Sequence, residues 1–559
     1  MSFGVKCSSD PVGIADIFAD FFKSVYSSDD AQVSAEDFSS VREHIPIGSL
    51  SLSCDQVLKA LLSLDVSKSK GPDILSPYFL KMCADDLCYP ICCIFNRSLS
   101  AGVFPNRWKL SHVTPIFKSG SRALACNYRG IAILPAIGKL FEAMVCSLLT
   151  GHFKSYISSR QHGFMKGRST ETNLVEFAQT GLNAIESGSQ LDVVYTDFSK
   201  AFDRVNHSIL VAKLERIGLH SSLLAWIRSY LAGRSQFVLI GGSRSYVFPV
   251  ATGVPQGSHL GPLLFILFVN DIVDVVKYSK CLLYADDLKI FLSVSSVRDC
   301  TYLQCDLDSL FSWSQKNQLA LNLAKCSTMS FRRRLNPVFF DYAIGGVTLK
   351  RVDRVSDLGI LFDEKMNFNG HIDCVVSKAF SRIGFMKRIC RQFNDPYTLK
   401  SVYCAFVRSV LEYGSTVWSP SYAVHVDRIE SIQKKFLLYA LRHIGWREDT
   451  FVLPPYEDRC KLIALETLAS RRTLSALMFV FDLLSHRKDA PDLLCMFDVN
   501  IPSRHLRVSN FLRASQHRTN YGLFSPVSSL SSVFNRFGSR FDFNMSRTSF
   551  RSAVVQSRY

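Results

Sequence analysis

The sequence predicts an α+β fold. Apolar residues keep helical spacing before about residue 100, between the strands of the middle, and over 372–443. Short apolar runs bounded by Gly, Pro, Ser and Asp fill the middle and read as strands. Hydrophobic residues make up 47% and charged residues 20%, so the chain can bury large cores. Its 559 residues correspond to roughly three or four domain-sized units.

The elements follow in order. Ile14, Ile17, Phe18, Phe21 and Phe22 mark a docking helix over 14–26, closed by the polar stretch 27–30. A second helix covers 54–64 and ends in the basic turn Lys68-Ser69-Lys70-Gly71-Pro72-Asp73. A third covers 77–99, with Pro90 the expected break. At His112 the period changes: 112–117 and 129–134 are strands around the loop 118–121. A helix over 137–149 is followed by a basic loop, 160–172, that enters another helix. The strand 191–196 ends at Asp197. Helices at 209–217 and 221–231 precede strands at 237–240 and 245–250 and a helix over 258–276. Two short strands, 281–284 and 288–294, flank Ala285-Asp286-Asp287. A helix follows at 299–315, and 321–331 contains a strand. Beyond about residue 351 the chain reads as mostly helical, with apolar stripes over 372–389, 397–413 and 426–443. The last ~60 residues, rich in Ser, Arg and Phe, fit no pattern.

Composition excludes several classes. The longest apolar stretch near the middle, Leu260–Val269, has ten residues, where a membrane span needs ~20. The start lacks a signal-peptide layout. The 17 cysteines are scattered without a Cys-x-x-Cys pair, which speaks against a disulfide scaffold or zinc finger and for a reducing compartment. The net charge is +17, and it is concentrated. Residues 97–168 hold eleven Lys/Arg against Glu142 alone, and 501–559 hold nine Arg against Asp542 alone. Two basic blocks on a near-neutral body suit a polyanion, nucleic acid first. Anionic membranes and acidic proteins attract such blocks too.

Carboxylates mark the candidate chemistry. Asp197 closes an apolar strand, and the pair Asp286-Asp287 sits on a turn between two others. Two negative charges ~4 Å apart repel by about 4 kcal/mol at an effective dielectric of 20. A divalent cation reverses that sign, and an oxygen-only donor set suits Mg²⁺ in phosphoryl transfer. Ordinary turn chemistry is the alternative for Asp-Asp. Gly253-Val254-Pro255-Gln256-Gly257-Ser258 enters a helix; its two glycines, Gly253 and Gly257, permit close approach to a ligand and Gln256 brings donors. A plain helix-entry turn capped by Ser258 explains the same letters.

Together these segments resemble the palm motifs of reverse transcriptases. Tyr195-Thr196-Asp197-Phe198-Ser199-Lys200-Ala201-Phe202-Asp203, the 253–258 loop and Tyr284-Ala285-Asp286-Asp287 occur in that family's order. Residues 313–331 and 357–363 resemble the two motifs that follow. Lys70-Gly71-Pro72-Asp73, 112–118, Asn127-Tyr128-Arg129, Gln161-His162-Gly163-Phe164 and 166–170 resemble the fingers of non-LTR (LINE-type) retrotransposon enzymes. Tyr413-Gly414-Ser415-Thr416-Val417-Trp418 fits the jockey-like branch. The resemblance spans roughly 10–450. Gly130 replaces the usual proline after Asn-Tyr-Arg, and the glycine that commonly follows 71–73 is missing.

The resemblance implies a right-hand polymerase: an N-terminal extension (1–50), fingers (51–185), a palm of antiparallel sheet plus helices (186–345), a helical thumb or connection (346–495) and a basic C-terminal segment (496–559). It implies RNA-directed DNA synthesis from a primer 3′-hydroxyl with dNTPs. Asp197, Asp286 and Asp287 would hold two Mg²⁺ ions, with Mn²⁺ a possible substitute and the Phe198 carbonyl assisting. Phe202 would crowd a ribose 2′-hydroxyl, or simply pack. Gln256 and Gly257 would meet the nucleotide and template, and Lys118 and Arg129 the triphosphate. Lys325 would protonate the leaving group, or be a surface lysine. Trp418 is expected to pack. Expected partners are an RNA template, a DNA primer or target and dNTPs, with no membrane and an undefined oligomeric state. The expected places are a cytoplasmic ribonucleoprotein and the nucleus. No zinc knuckle, ribonuclease H constellation or preceding endonuclease is seen, so the chain reads as a portion of a longer element protein or a degraded copy. Two rivals remain: a catalytically inactive nucleic-acid-binding derivative, and an RNA-templated RNA polymerase, which Phe202 disfavours.

Overall fold

The computed structural model describes residues 1–26, 47–333, 336–393, 395–443, 453–500, 510–513, 516–537, 542 and 544–556. The polar stretch 27–30 and much of the basic C-terminal block, including 501–509, lie outside them. Two five-stranded sheets organise the described chain. In the first, β1 (Leu110–Phe117) pairs antiparallel with β2 (Tyr128–Ile133). On its other side β1 runs parallel to β4 (Arg234–Ile240), which also pairs with β5 (Phe248–Val250) and the short strand Ser243–Arg244. Helix α1 (Pro11–Lys23) closes this sheet. Asp10 caps it, Pro11 begins it, and Phe18, Phe21 and Phe22 pack on Val113, Val238 and Phe248.

In the second sheet β3 (Gln190–Thr196) lies between β7 (Asp287–Val294) and β8 (Ser327–Phe331), with β6 (Lys280–Tyr284) beyond β7. These four are antiparallel; β9 (Lys350–Arg351) adds in parallel beside β8. Both faces are covered, so β3 is buried almost throughout, its polar Gln190, Asp192 and Thr196 included. Val194, Leu288 and Ile290 face a core shared with Phe265 of the helix Leu260–Val269 and Phe141 of helix α2 (Ala136–Phe153). Val193, Phe291 and Phe331 face a second core. There Phe177 of helix α3 (Thr170–Glu186) meets Phe291, Phe331 and Phe362 edge-on. Asp192 is fully buried in β3 and accepts from Tyr342 Oη (2.7 Å) and Gln190 Nε2 (2.9 Å).

Several elements differ from expectation. Pro90 does not break its helix: Ala84–Ala101 runs through it, and the break falls at Cys83, between Pro77–Met82 and Ala84. Asp86 and Pro90 are both exposed, so water can reach the carbonyl that proline leaves without a donor. The helix over 258–276 is two, Leu260–Val269 and Ile272–Val275. Between them Asn270 bonds Ser158 and Tyr156, and Asp271 takes Lys213 and Trp313. The strand 245–250 shortens to β5. The stripe over 397–413 contains a π turn at Cys404–Arg408. Residues 354–363 are not helical but a hairpin, β10 (Arg354–Asp357) and β11 (Ile360–Asp363), ahead of helix α4 (Asn369–Ile389).

The C-terminal segment folds back onto this frame. The end of α3 receives it: Glu186 Oε1 accepts from the backbone N–H of Arg518 (2.6 Å) and Thr519 (3.1 Å). The helix Pro526–Phe537 lies on α3 and on α5 (Leu468–Leu484). Phe550, fully buried, stacks on Phe481 of α5 at 4.3 Å. Phe550→Ala is expected to cost about 3–5 kcal/mol, because a cavity is left in a closed core. Urea denaturation measures it; a loss below 1 kcal/mol would mean that this docking is loose.

Candidate active site

β3 and β7 place the carboxylates. Leu288 pairs with Thr196, so one further step of the register sets Asp197 opposite Asp287. Antiparallel neighbours stand roughly 4.5–5.5 Å apart at Cα. Asp287 also pairs with Tyr284 across a two-residue turn, which leaves Asp286 at the tip. Ala285 takes φ 58° there, a strained value for a residue with a Cβ.

The turn is held from behind. The N–H of Ala285 donates to Gln161 Oε1 (3.0 Å), as does that of Gly163 (2.8 Å). The N–H of His162 donates to Leu283 O (2.9 Å), and Asn173 Nδ2 donates to the same oxygen (3.2 Å). Gly163 is required by contact: a Cβ there would meet the backbone of Ala285 and lie 2.9 Å from the carbonyl carbon of Tyr284.

A cleft of about 1100 Å³ opens in front of the tip. Asp197, Phe198, Asp286, Asp287, Lys325, Lys118, Arg129, Phe202, Gln256 and Gly257 all line it. Lys118 and Arg129 stand exposed at the loop end of the β1–β2 hairpin. The 253–257 loop is stitched down by the N–H of Gly253 on Val205 O, that of Val254 on Phe202 O and that of Ala132 on Gln256 O, each 2.8 Å. Gly257 has φ 124°, and a Cβ would run into the Ala132 carbonyl. Ser258 Oγ donates to Pro255 O (2.8 Å) and accepts from the Gly261 N–H (2.9 Å), the capping turn expected of it. Phe202 stacks on Phe265 at 4.3 Å and is half-buried on the cleft wall. Phe198 is buried against Trp313. Trp418 lies outside the cleft, packed on His371, its indole N–H on Tyr413 O (2.8 Å).

Lys325 reaches the cleft because its loop is pinned to β3: the N–H of Asn322 donates to Asp197 O (2.7 Å). Its Nζ sits on Asp197 Oδ2 at 2.9 Å. The three acids therefore share one cleft without being gathered into one ligand set. Among the described residues no group of three or more His, Cys, Asp or Glu could hold a metal ion as placed.

Burial and like charge raise both carboxyls at the tip. Burial, opposed by Arg129 and Lys118, raises the Asp286 carboxyl above its ordinary value. Burial and then repulsion from Asp286 push Asp287 up to about 6. A folded state that binds this proton more tightly than the unfolded chain gains stability in acid and loses it as pH rises from about 4 to 6. Without divalent cations, Asp287→Asn is expected to raise the melting temperature at pH 7 but not at pH 4. An equal shift at both pH values would contradict the repulsion.

Two further residues complete the cleft. Asp203, its carboxyl raised by burial, accepts from Gln256 Nε2 at 2.7 Å and fixes that side chain. Lys200, φ 53°, lies 5.0 Å from the Phe21 ring centroid; burial lowers its ammonium, and Lys118, Arg129 and Lys325 add to that effect. Their place in the 195–203 segment was the sequence signal for either.

Comparison with known proteins finds relatives of the chain. The family described as "Reverse transcriptase (RNA-dependent DNA polymerase)" matches residues 116–372. The "RNA-directed DNA polymerase from mobile element jockey" of Drosophila melanogaster is 27% identical over 406 residues, 70% of this chain and 44% of that protein. The "Probable RNA-directed DNA polymerase from transposon BS" of the same species is 27% identical over 396 residues, 68% and 44% of the two chains. The chain thus spans less than half the length of these relatives. Among solved structures, apo telomerase from Candida tropicalis covers 47% of the chain and 54% of its own at 12% identity, with a TM-score of 0.33, too low to carry an argument.

Proposed function

We propose that this chain, which carries a reverse transcriptase domain across residues 116–372, is the polymerase portion of a non-LTR retrotransposon protein. It extends a primer 3′-hydroxyl with dNTPs on an RNA template. The observation that carries the reading is the convergence of Asp197, Asp286 and Asp287 on one cleft rimmed by Lys118 and Arg129. The region 51–185 serves as fingers, 186–345 as palm, 346–495 as thumb or connection, with 1–50 and 496–559 as flanking segments.

Reverse transcriptases use divalent cations, and the donor set fits them: desolvated, adjacent carboxylates with no His or Cys among them. Asp197, Asp286, Asp287 and the Phe198 carbonyl would hold two, Mg²⁺ or Mn²⁺. When bound, such ions lower the charge on the attacking and leaving oxygens of an in-line displacement.

The chain's own groups position the reactants. Lys118 and Arg129 neutralise the triphosphate from the hairpin rim. Gln256, clamped by Asp203, offers its amide to the nucleotide and template. Phe202, braced on Phe265, leaves no room for a ribose 2′-hydroxyl and so selects dNTPs. Lys325 releases Asp197 and gives its proton to the pyrophosphate. The basic block 97–168 leads template and nucleotide in, and contact with heteroduplex phosphates weakens as salt rises. Among the described residues no helix is long and apolar enough to cross a membrane. Cytoplasmic ribonucleoprotein and nucleus are the places such work requires.

Primer extension on an RNA template with dNTPs and Mg²⁺ tests the reading. Incorporation of dNTPs in preference to rNTPs is expected. Folded protein that binds RNA tightly but incorporates nothing would instead be a non-catalytic binding derivative. Equal use of rNTPs would make it an RNA polymerase.

A further inference from the structure

Beneath the carboxylate tip lies a buried polar layer that none of these roles uses. Lys289 stands two residues beyond Asp287 on β7, so both point to the same side of the sheet. Its register partner is Tyr195, two residues before Asp197. Lys289 and Tyr195 thus underlie Asp287 and Asp197. Lys289 Nζ forms an ion pair with Asp357 Oδ2, and the two side chains are only 4% and 8% exposed. The ammonium also lies 4.3 Å from the Phe177 ring centroid. Glu176 and His162, 3.6 Å apart, face the same layer from α3 and the loop before it.

Asp357 belongs to another part of the chain. It closes β10, and the turn after it, Leu358-Gly359, has positive φ at both residues. Tyr413 Oη donates to Leu358 O (2.7 Å) and lies 3.2 Å from Thr170 Oγ1 at the start of α3. From β11 the chain enters α4 and the helical region. One buried charge pair thus joins the strand that carries Asp287 to the hairpin from which the helical region begins. Stability does not explain it, since an apolar pair of similar volume often serves as well or better.

We propose that Lys289 and Asp357 form a positioning pair for Asp287: Asp357 anchors Lys289, and Lys289 fixes the strand and the field in which the Asp287 carboxylate receives a cation. The helical region is tied to the metal site through the same contact. This inference rests on the reading of Asp287 as a cation-holding carboxylate.

The test is the double variant K289M/D357L, which leaves local net charge unchanged. Mn²⁺ binding is followed by the electron spin resonance signal of the free ion, beside melting temperature and the KM and kcat of primer extension. An unchanged melting temperature is expected, with Mn²⁺ affinity about tenfold weaker. An about tenfold lower kcat at unchanged dNTP KM should accompany it. Parental Mn²⁺ affinity and kcat in the folded double variant would reduce the pair to packing and overturn the proposal. Should the double variant not fold, Asp357→Asn keeps the shape of the site and must weaken Mn²⁺ in the same direction, about threefold; no change there overturns the proposal equally. Protein that binds Mn²⁺ but extends no primer sinks the polymerase reading while the pair is judged on Mn²⁺ affinity alone. Protein that binds no Mn²⁺ removes the metal assignment, and the pair with it.

Discussion

Asp286→Asn is expected to lower primer extension by about 10³-fold, or about 4 kcal/mol of transition-state stabilisation, with RNA affinity nearly unchanged. The substitution keeps the size and shape of the side chain and removes one negative charge at the tip of the β6–β7 turn. Asn fits that turn, so the fold should survive. On the proposed function RNA would be held mainly by basic groups elsewhere, of which residues 97–168 supply eleven. The loss should therefore appear in kcat and in the requirement for divalent cation. A variant with near-normal turnover would refute the assignment of Asp286 to the metal site.

Gly163→Ala should cost about 10²-fold in kcat without touching any group that meets substrate. The added methyl meets the backbone of Ala285, and no flexible side chain stands there to yield. The turn must shift, and the carboxylates at 286 and 287 move with it. Single-nucleotide incorporation under saturating dNTP gives the number, and the far-ultraviolet dichroism of the variant shows that the fold is kept. Parental kcat would mean that Gln161 and His162 hold the turn well enough alone. Gln161→Ala should act in the same direction, since both the Ala285 and Gly163 N–H groups then lose their acceptor.

These expectations differ in how far the sequence could have reached them. The strand before Asp197 and the two around Asp286-Asp287 were legible because apolar runs ending in acids are local patterns. The basic blocks needed only counting. The support behind the tip was not legible: Gln161 and Ala285 lie 124 residues apart, and their bond exists only after the sheet has formed. The pairing of Gln256 with Asp203 and of Lys289 with Asp357 was hidden in the same way, across 53 and 68 residues. The β10–β11 hairpin, inside a region read as mostly helical, was not legible because four-residue strands are too short to show a period of two. The C-terminal segment looked featureless because its apolar residues are spread among Ser and Arg in short helices. Only α3 and α5 reveal which face of each is buried.

One difference bears on the chemistry directly. Lys325 was expected near the leaving group, and it stands on Asp197 at 2.9 Å. A lysine so placed balances the carboxylate. On the proposed function, cation binding and proton donation would be linked events, because the lysine would have to leave Asp197 before that acid could join the other two. The contact is 60% exposed on the lysine side, so it is cheap to break.

The most direct measurement is the position of bound Mn²⁺ in crystals of the protein, located by its anomalous scattering. The account predicts density at the β6–β7 tip, ligated by Asp197, Asp286 and Asp287, with Lys325 turned away from Asp197. Density confined to other surface carboxylates, with Lys325 still seated on Asp197, would contradict it.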